Sequence, residues 1–159
     1  MIQLTTPDDR DALLALAQAV GLFDSDQIVE LTQMLDQYFS NDSQSQNLWL
    51  TDYDHGPVGV AYAGAEPMTH GTWNLYLIAI HPNYQKQGRG SMLLKYIEKV
   101  LAERGERVLL VETSGTDEFQ YVRAFYRNNG YEEEARIRDF YADGVDKVVF
   151  RKVLRGIAL

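Results

Sequence analysis

The sequence predicts one α/β domain over residues 1–159, with a mixed, mostly antiparallel sheet of six to seven strands and helices on both faces. Three observations lead to this fold class. Of the 159 residues, 45% are hydrophobic, which is enough for one core. Segments with the twofold period of strands alternate with segments of helical period. Turn sequences join consecutive strands, and one strand–helix–strand unit lies in the middle of the chain.

The N-terminal segment predicts a strand followed by two helices. Residues 2–5 form the strand, and Thr6-Pro7-Asp8-Asp9 then starts a helix with a capping hydroxyl, a proline and two acids. Gly21 ends that helix. The second helix begins at Asp24, and Gln27 is its capping-box partner.

Three strands follow. A polar stretch at 40–47 predicts a loop, and residues 48–53 and 58–63 predict a hairpin because a Gly-Pro turn lies between them. Residues 72–81 predict a strand that is buried on both faces, since residues 75–80 are almost continuously apolar.

The C-terminal half predicts a strand–helix–strand unit and a final hairpin. A helix at 88–104 ends at a glycine, and a buried strand follows at 108–111. Residues 119–129 form a short helix. Residues 131–154 form two strands around the turn Asp143-Gly144.

Charge and composition restrict the function classes. The net charge of -8 argues against a nucleic-acid partner and suits a cationic substrate. Without cysteine there is no disulfide framework, no thiolate metal site and no cysteine nucleophile. We find no signal peptide and no apolar run near the roughly 20 residues of a membrane span. A cytoplasmic protein without a membrane partner or a metal is therefore expected.

One segment predicts an anion site. Strand residues Leu77 to Ile80 lead through a proline turn into a glycine loop that opens a helix, where free N–H groups and the helix dipole attract anions. Gly88 and Gly90 allow close approach of a phosphate. Positive charge and a hydroxyl come from three further residues, Lys86, Arg89 and Ser91.

These residues alone indicate a diphosphate site and nothing more specific, and plain helix capping remains an alternative. A P-loop is excluded because no Gly-Lys-Ser/Thr follows the loop. A dinucleotide fingerprint is excluded because there is no third glycine and the preceding strands are antiparallel.

The same segment resembles the GNAT superfamily of N-acetyltransferases. Gln85-Lys86-Gln87-Gly88-Arg89-Gly90 matches its signature Q/R-x-x-G-x-G/A, and an apolar strand with a proline turn precedes it. Phe125-Tyr126-Arg127-Asn128-Asn129-Gly130-Tyr131 is similar to the family's F-Y-x-x-x-G-F/Y. The predicted order of elements is also that of the family.

The resemblance implies acetyl-CoA as the acyl donor and an amine as the other substrate. The backbones of Ile78, Ala79 and Ile80 would pair with the pantetheine arm, where the strand splays from its neighbour and frees an amide for the thioester carbonyl. The loop amides would cradle the pyrophosphate. They belong to Gln85, Lys86, Gln87, Gly88, Arg89, Gly90 and Ser91.

The resemblance implies catalytic roles for two further residues and an acceptor-binding role for a third. Tyr126 would protonate the departing thiolate, against the alternative that it only packs its helix. Glu112 directly follows the apolar run 108–111 and is the candidate base, against the alternative of a solvated strand-end acid. Tyr141 would line the acceptor site, against the alternative of an ordinary strand aromatic.

One departure from the family pattern concerns Phe119, which stands where the family usually has asparagine. The pantetheine contact of that asparagine is lost or passes to Ser114 or Thr116. Acetyl transfer to a small amine or amino acid is the leading function. A protein N-terminus as acceptor, or a non-catalytic acyl-CoA-binding module, are the alternatives. Dimers are common in the family, so a homodimer is possible.

Overall fold

Seven strands and four α-helices lie within residues 1–21, 23–40 and 46–156, which the computed structural model describes. Their order is the predicted one. The strands are β1 (Ile2–Leu4), β2 (Asn47–Tyr53), β3 (Pro57–Ala65), β4 (Thr72–Ile80), β5 (Val108–Ser114), β6 (Glu132–Ala142) and β7 (Val145–Val153). The helices are α1 (Arg10–Val20), α2 (Ser25–Ser40), α3 (Arg89–Glu103) and α4 (Gln120–Asn128). Positions 41–45 of the predicted loop lie outside the described residues.

The strands form one sheet in the order β1-β2-β3-β4-β5-β7-β6. Strands β4 and β5 pair in parallel, from Thr72 opposite Val108 to Leu75 opposite Val111. The pairs β1–β2, β2–β3, β5–β7 and β6–β7 are antiparallel. This topology confirms the predicted mixed, mostly antiparallel sheet. None of the described helices is long and apolar enough to cross a membrane.

The elements divide into two compact units, which we describe separately. The first unit comprises Met1–Gly64 and Leu77–Ile97, and the second comprises Ala65–Tyr76 and Glu98–Leu159. A single domain over residues 1–159 stays a prediction.

Helix ends in the first unit follow the predicted capping chemistry. The Asp24 N–H donates to Gln27 Oε1 at 2.9 Å, and the Gln27 N–H donates to Asp24 Oδ1 at 2.8 Å. This exchange satisfies two amide groups at the start of α2 and confirms the capping box. Gly21 ends α1 with a φ of 74°, a conformation that favours glycine.

The core of the first unit consists of α1 and α2 against the middle strands. Trp49 and Tyr62 stack at its centre, with their ring centroids 4.3 Å apart. The apolar faces of the two helices cover these rings. Their buried residues are Leu13, Leu16, Ala17, Leu31, Leu35 and Tyr38.

Strand β4 corrects one expectation. Leu75, Leu77 and Ala79 are buried, but Tyr76 is 46% exposed, and Ile78 is only half-buried. The prediction of a strand buried on both faces is therefore wrong. Side chains alternate across a strand, and the row of Leu75, Leu77 and Ala79 is packed, whereas Tyr76 and Ile78 on the opposite row are not fully covered.

A buried ion pair stabilises the second unit. The Glu98 side chain is 3% exposed and accepts a hydrogen bond from the Tyr131 hydroxyl at 2.7 Å. Lys152 Nζ lies 2.9 Å from the other carboxylate oxygen of Glu98 and also donates to the Asn129 carbonyl. These three contacts, made by two donors, connect α3, the end of α4 and β7.

We expect Lys152→Ala to lower the free energy of unfolding by about 3 kcal/mol, because the buried Glu98 carboxylate loses its cation. Chemical denaturation would measure this difference. Lys99→Ala is the control, since Lys99 and Glu103 form an exposed pair and should contribute less than about 0.5 kcal/mol. Equal effects of the two substitutions would contradict the assigned role of Glu98.

Candidate active site

The predicted cofactor loop lies in the first unit, and residues 85–88 are exposed. A short turn, Pro82–Tyr84, joins it to β4, and His81 Nδ1 accepts the Asn83 N–H at 3.1 Å. The Gln85 side-chain amide donates to the carbonyl of Ile80 at 2.9 Å. This hydrogen bond fixes the start of the loop to the end of β4.

The backbone of the loop suits an anion. Lys86 and Gly88 have positive φ values of 61° and 79°, which reverse the chain before α3. The helical ladder begins with the Met92 N–H, which donates to the Gly88 carbonyl at 3.0 Å. The amides of Gly90 and Ser91 precede that ladder, so they have no intrahelical acceptor and a diphosphate can accept from them.

The sequence predicted that Arg89 supplies positive charge to the anion site. In the structure its side chain pairs with two carboxylates of the protein, and its part in cofactor binding stays a prediction. Its guanidinium donates to Asp52 at 2.9 Å and to Asp54 at 2.6 Å, and it lies over the Tyr84 ring at 5.4 Å. Asp52 is almost fully buried. The guanidinium charge is thus compensated within the protein, and the side chain holds the start of α3 against the β2–β3 hairpin.

This contact predicts that Asp52→Asn weakens CoA binding by about fivefold, because the ion pair that positions the loop becomes a weaker hydrogen bond from Arg89 to a neutral amide. Charge alone predicts the opposite sign, since the substitution removes a negative charge near an anion site. Calorimetric titration with CoA distinguishes the two. Asp26→Asn makes the same charge change at an exposed position of α2 and should leave the Kd unchanged. Tighter binding by Asp52→Asn would refute the positioning role.

Tyr126 lies in the second unit, on α4, and is 4% exposed. Its ring packs against those of Tyr131 and Phe150, at centroid distances of 5.8 and 5.9 Å. Burial raises the pKa of Tyr126, so the phenol stays protonated at neutral pH. Across the described part of the chain, the Tyr126 hydroxyl makes no hydrogen bond. A hydroxyl without a protein partner is available to a ligand.

Glu112 lies inside β5, opposite Val149 of β7, rather than after the end of the strand as the sequence indicated. The strand continues to Ser114 because β7 pairs with it over its whole length. Glu112 Oε1 accepts from Asn74 Nδ2 at 3.2 Å and from Lys147 Nζ at 3.0 Å. The carboxylate is thus oriented by an amide and by an ammonium group.

We name Glu66, Asn74, Glu112 and Lys147 the carboxylate cluster. Asn74 Nδ2 donates to Glu66 Oε1 at 3.1 Å as well as to Glu112, so one amide connects the two acids. Glu66, Asn74 and Lys147 were not among the site residues that the sequence indicated. Asn74 carried a usable signal, because it is a polar residue within an apolar strand.

Exposed aromatic rings accompany the cluster. Lys147 Nζ lies 4.1 Å from the centroid of the Phe140 ring, which packs edge-on against Tyr141. Burial and, secondly, the Glu112 charge raise the pKa of Tyr141. Through the Phe140 ring, Tyr141 adjoins the Lys147 end of the cluster.

The residues around the family's missing asparagine are hydrogen-bonded to one another. Ser114 and Thr116 hydroxyls lie 3.0 Å apart, and the buried Arg123 donates to the carbonyls of both residues. Phe119 ends the turn Asp117–Phe119 before α4. Whether Ser114 or Thr116 replaces the asparagine contact stays a prediction.

A mixed sheet with an exposed glycine loop opening the helix after β4 defines the fold class of N-acetyltransferases. The chain belongs to the GNAT acetyltransferase family, because residues 44–133 match the family described as "Acetyltransferase (GNAT) domain". Members of this family use acetyl-CoA as the acetyl donor. No curated protein is significantly similar to the chain.

Solved structures agree with this assignment. A GNAT-family protein from Desulfovibrio desulfuricans superposes with a TM-score of 0.92 at 27% identity, covering 97% of this chain and 98% of that one. Ribosomal-protein-S18-alanine N-acetyltransferase from Escherichia coli gives a TM-score of 0.78 at 18% identity, covering 100% and 99%. An aminoglycoside 6'-N-acetyltransferase in complex with coenzyme A gives 0.75 at 16%, covering 100% and 99%. The latter two share the fold.

Proposed function

We propose that this acetyltransferase transfers the acetyl group of acetyl-CoA directly to a primary amine of a small molecule or amino acid. The exposed loop at the start of α3 carries the proposal, because its residues leave backbone donors free for a diphosphate. The sequence has no cysteine that could form an acyl-thioester with the enzyme. Direct attack by the amine is therefore the simplest route.

The loop and the end of β4 would hold the cofactor. Residues 85–91 would bind the diphosphate through their amides, and residues 78–80 would pair with the pantetheine arm. Bound acetyl-CoA supplies an activated acetyl group. Gln85 supports this arrangement because its contact with Ile80 fixes the loop to the strand.

Glu112 and Tyr126 would handle the protons. An ammonium group has no lone pair, so Glu112 would accept a proton from the amine, directly or through a water molecule. The new bond joins the amine nitrogen to the acetyl carbon, and the bond from that carbon to sulfur breaks. Tyr126 would donate a proton to the departing sulfur, for which its raised pKa keeps the phenol in the protonated form.

The acceptor is tested by thiol release. The purified protein is incubated with acetyl-CoA and a panel of small amines, amino acids and peptides with free N-termini, and free CoA is titrated over time. Release that depends on one class of amine, with the acetylated product seen by mass spectrometry, would support direct transfer. Tight CoA binding without release for any primary amine would contradict the proposal and favour a non-catalytic acyl-CoA-binding module.

A further inference from the structure

The two acids of the carboxylate cluster differ in how their charges are compensated. Glu112 has the ammonium group of Lys147 at 3.0 Å. Glu66 has only neutral donors, Asn74 Nδ2 at 3.1 Å and the Tyr76 hydroxyl at 3.4 Å. Among the residues that the structure describes, no Lys, Arg or His pairs with Glu66. The cluster therefore keeps one uncompensated negative charge.

Asn74 supplies a second and independent observation. Its side chain is 2% exposed, and its Oδ1 atom has no hydrogen-bond partner among the described residues. An unsatisfied buried acceptor is rare and costs free energy unless a donor reaches it. This unpaired oxygen belongs to the amide that joins the two carboxylates, and an N–H donor supplied by a ligand would satisfy it.

The surroundings of the cluster fit an ammonium group. Lys147 already shows the pattern, since its ammonium contacts the Glu112 carboxylate and the face of the Phe140 ring. Glu66 has an aromatic neighbour in Tyr76, which is 46% exposed and donates its hydroxyl to Glu66 at 3.4 Å. A carboxylate beside an aromatic ring binds organic cations by the same chemistry.

We propose that Glu66 binds a second positive charge of the acceptor, so that the preferred acceptor is a short diamine. This inference rests on the proposed function, because it concerns the acceptor of the same reaction. One amine of the substrate would lie at Glu112 and lose its proton, while the other stays protonated on Glu66. Both carboxylates contact the same Asn74 nitrogen, so the two amines must be joined by a short chain.

Matched pairs of acceptors test the proposal. We would measure kcat/KM by thiol release for 1,3-diaminopropane against propylamine and for 1,4-diaminobutane against butylamine. Each pair differs by one terminal ammonium. We expect the diamine to be preferred by about tenfold at low ionic strength, and the preference should shrink as salt is added.

A substitution of Glu66 tests whether this residue causes the preference for diamines. Glu66→Gln should abolish the diamine preference, so that kcat/KM for each diamine falls to that of its matched monoamine in the same variant. Glu134→Gln is the control, because it makes the same charge change at an exposed position of β6 and should keep the preference. The acceptor comparison on the unaltered protein decides the proposal even if Glu66→Gln does not fold.

The outcomes separate this inference from the proposed function. Equal kcat/KM values for diamines and monoamines would overturn the diamine assignment and leave acetyl transfer intact. A Glu66→Gln variant that keeps the full diamine preference would also overturn it, since the second ammonium would then not lie on Glu66. Absence of thiol release with any primary amine, despite CoA binding, would reject both.

Discussion

Tyr126→Phe is expected to lower kcat by about 10²-fold or more while the Kd for CoA stays unchanged, because only the proton donor is removed. The substitution keeps the ring contacts with Tyr131 and Phe150. It should hardly change stability, since the hydroxyl makes no hydrogen bond within the described residues. Steady-state kinetics and calorimetry measure the two effects separately.

Tyr131→Phe removes the hydroxyl of the neighbouring ring and is expected to lower stability while it leaves activity nearly unchanged. Its hydroxyl donates to the buried Glu98 at 2.7 Å, so its removal should cost about 2 kcal/mol of stability and little activity. If Tyr126→Phe were as active as the unaltered protein, Tyr126 would be a packing residue only.

The pH dependence adds a check on Tyr126. Burial raises its pKa in the folded protein above the ordinary value of about 10, so the protonated form is favoured by folding. The stability that this provides is present below pH of about 10 and is lost as pH rises above it. We therefore expect no loss of kcat from Tyr126 ionisation between pH 7 and about 10.

Glu112→Gln is expected to lower kcat/KM by about 10²-fold at pH 7, because the amide cannot accept the proton of the amine. Its carbonyl oxygen can still accept hydrogen bonds from Asn74 and Lys147, so the local structure should persist. The loss should diminish toward pH 10, where free amine becomes abundant without a base.

Glu133→Gln is the matched control for Glu112→Gln. Glu133 is an acid of β6 that pairs with Arg127, and its substitution should leave the rate within about twofold. A pH-independent loss in Glu112→Gln would indicate that Glu112 shapes the site without accepting a proton.

Local sequence signals were sufficient for much of the fold. Several motifs involve only a few adjacent residues, so the local sequence specifies them. They are the Asp24–Gln27 capping box, the glycines at helix ends and the Gly-Pro hairpin turn. The glycine loop at 85–91 and its position before α3 were predicted in the same way. A homodimer, a cytoplasmic location and the roles of the individual site residues stay predictions.

Contacts between distant segments could not be derived from the sequence. The exposure of Tyr76 depends on which face of β4 is packed, and the extension of β5 past Glu112 depends on pairing with β7. Arg89 pairs with Asp52 and Asp54, which lie 37 and 35 positions away from it along the chain.

The sequence by itself determined the order of elements, the helix caps and the glycine loop before α3, because each depends on the backbone preferences of adjacent residues. Only the tertiary structure decided that Glu66, Asn74, Glu112 and Lys147 meet. These four residues lie on separate segments of the chain, and their chemistry arises from partial burial and mutual charge, which exist only after folding.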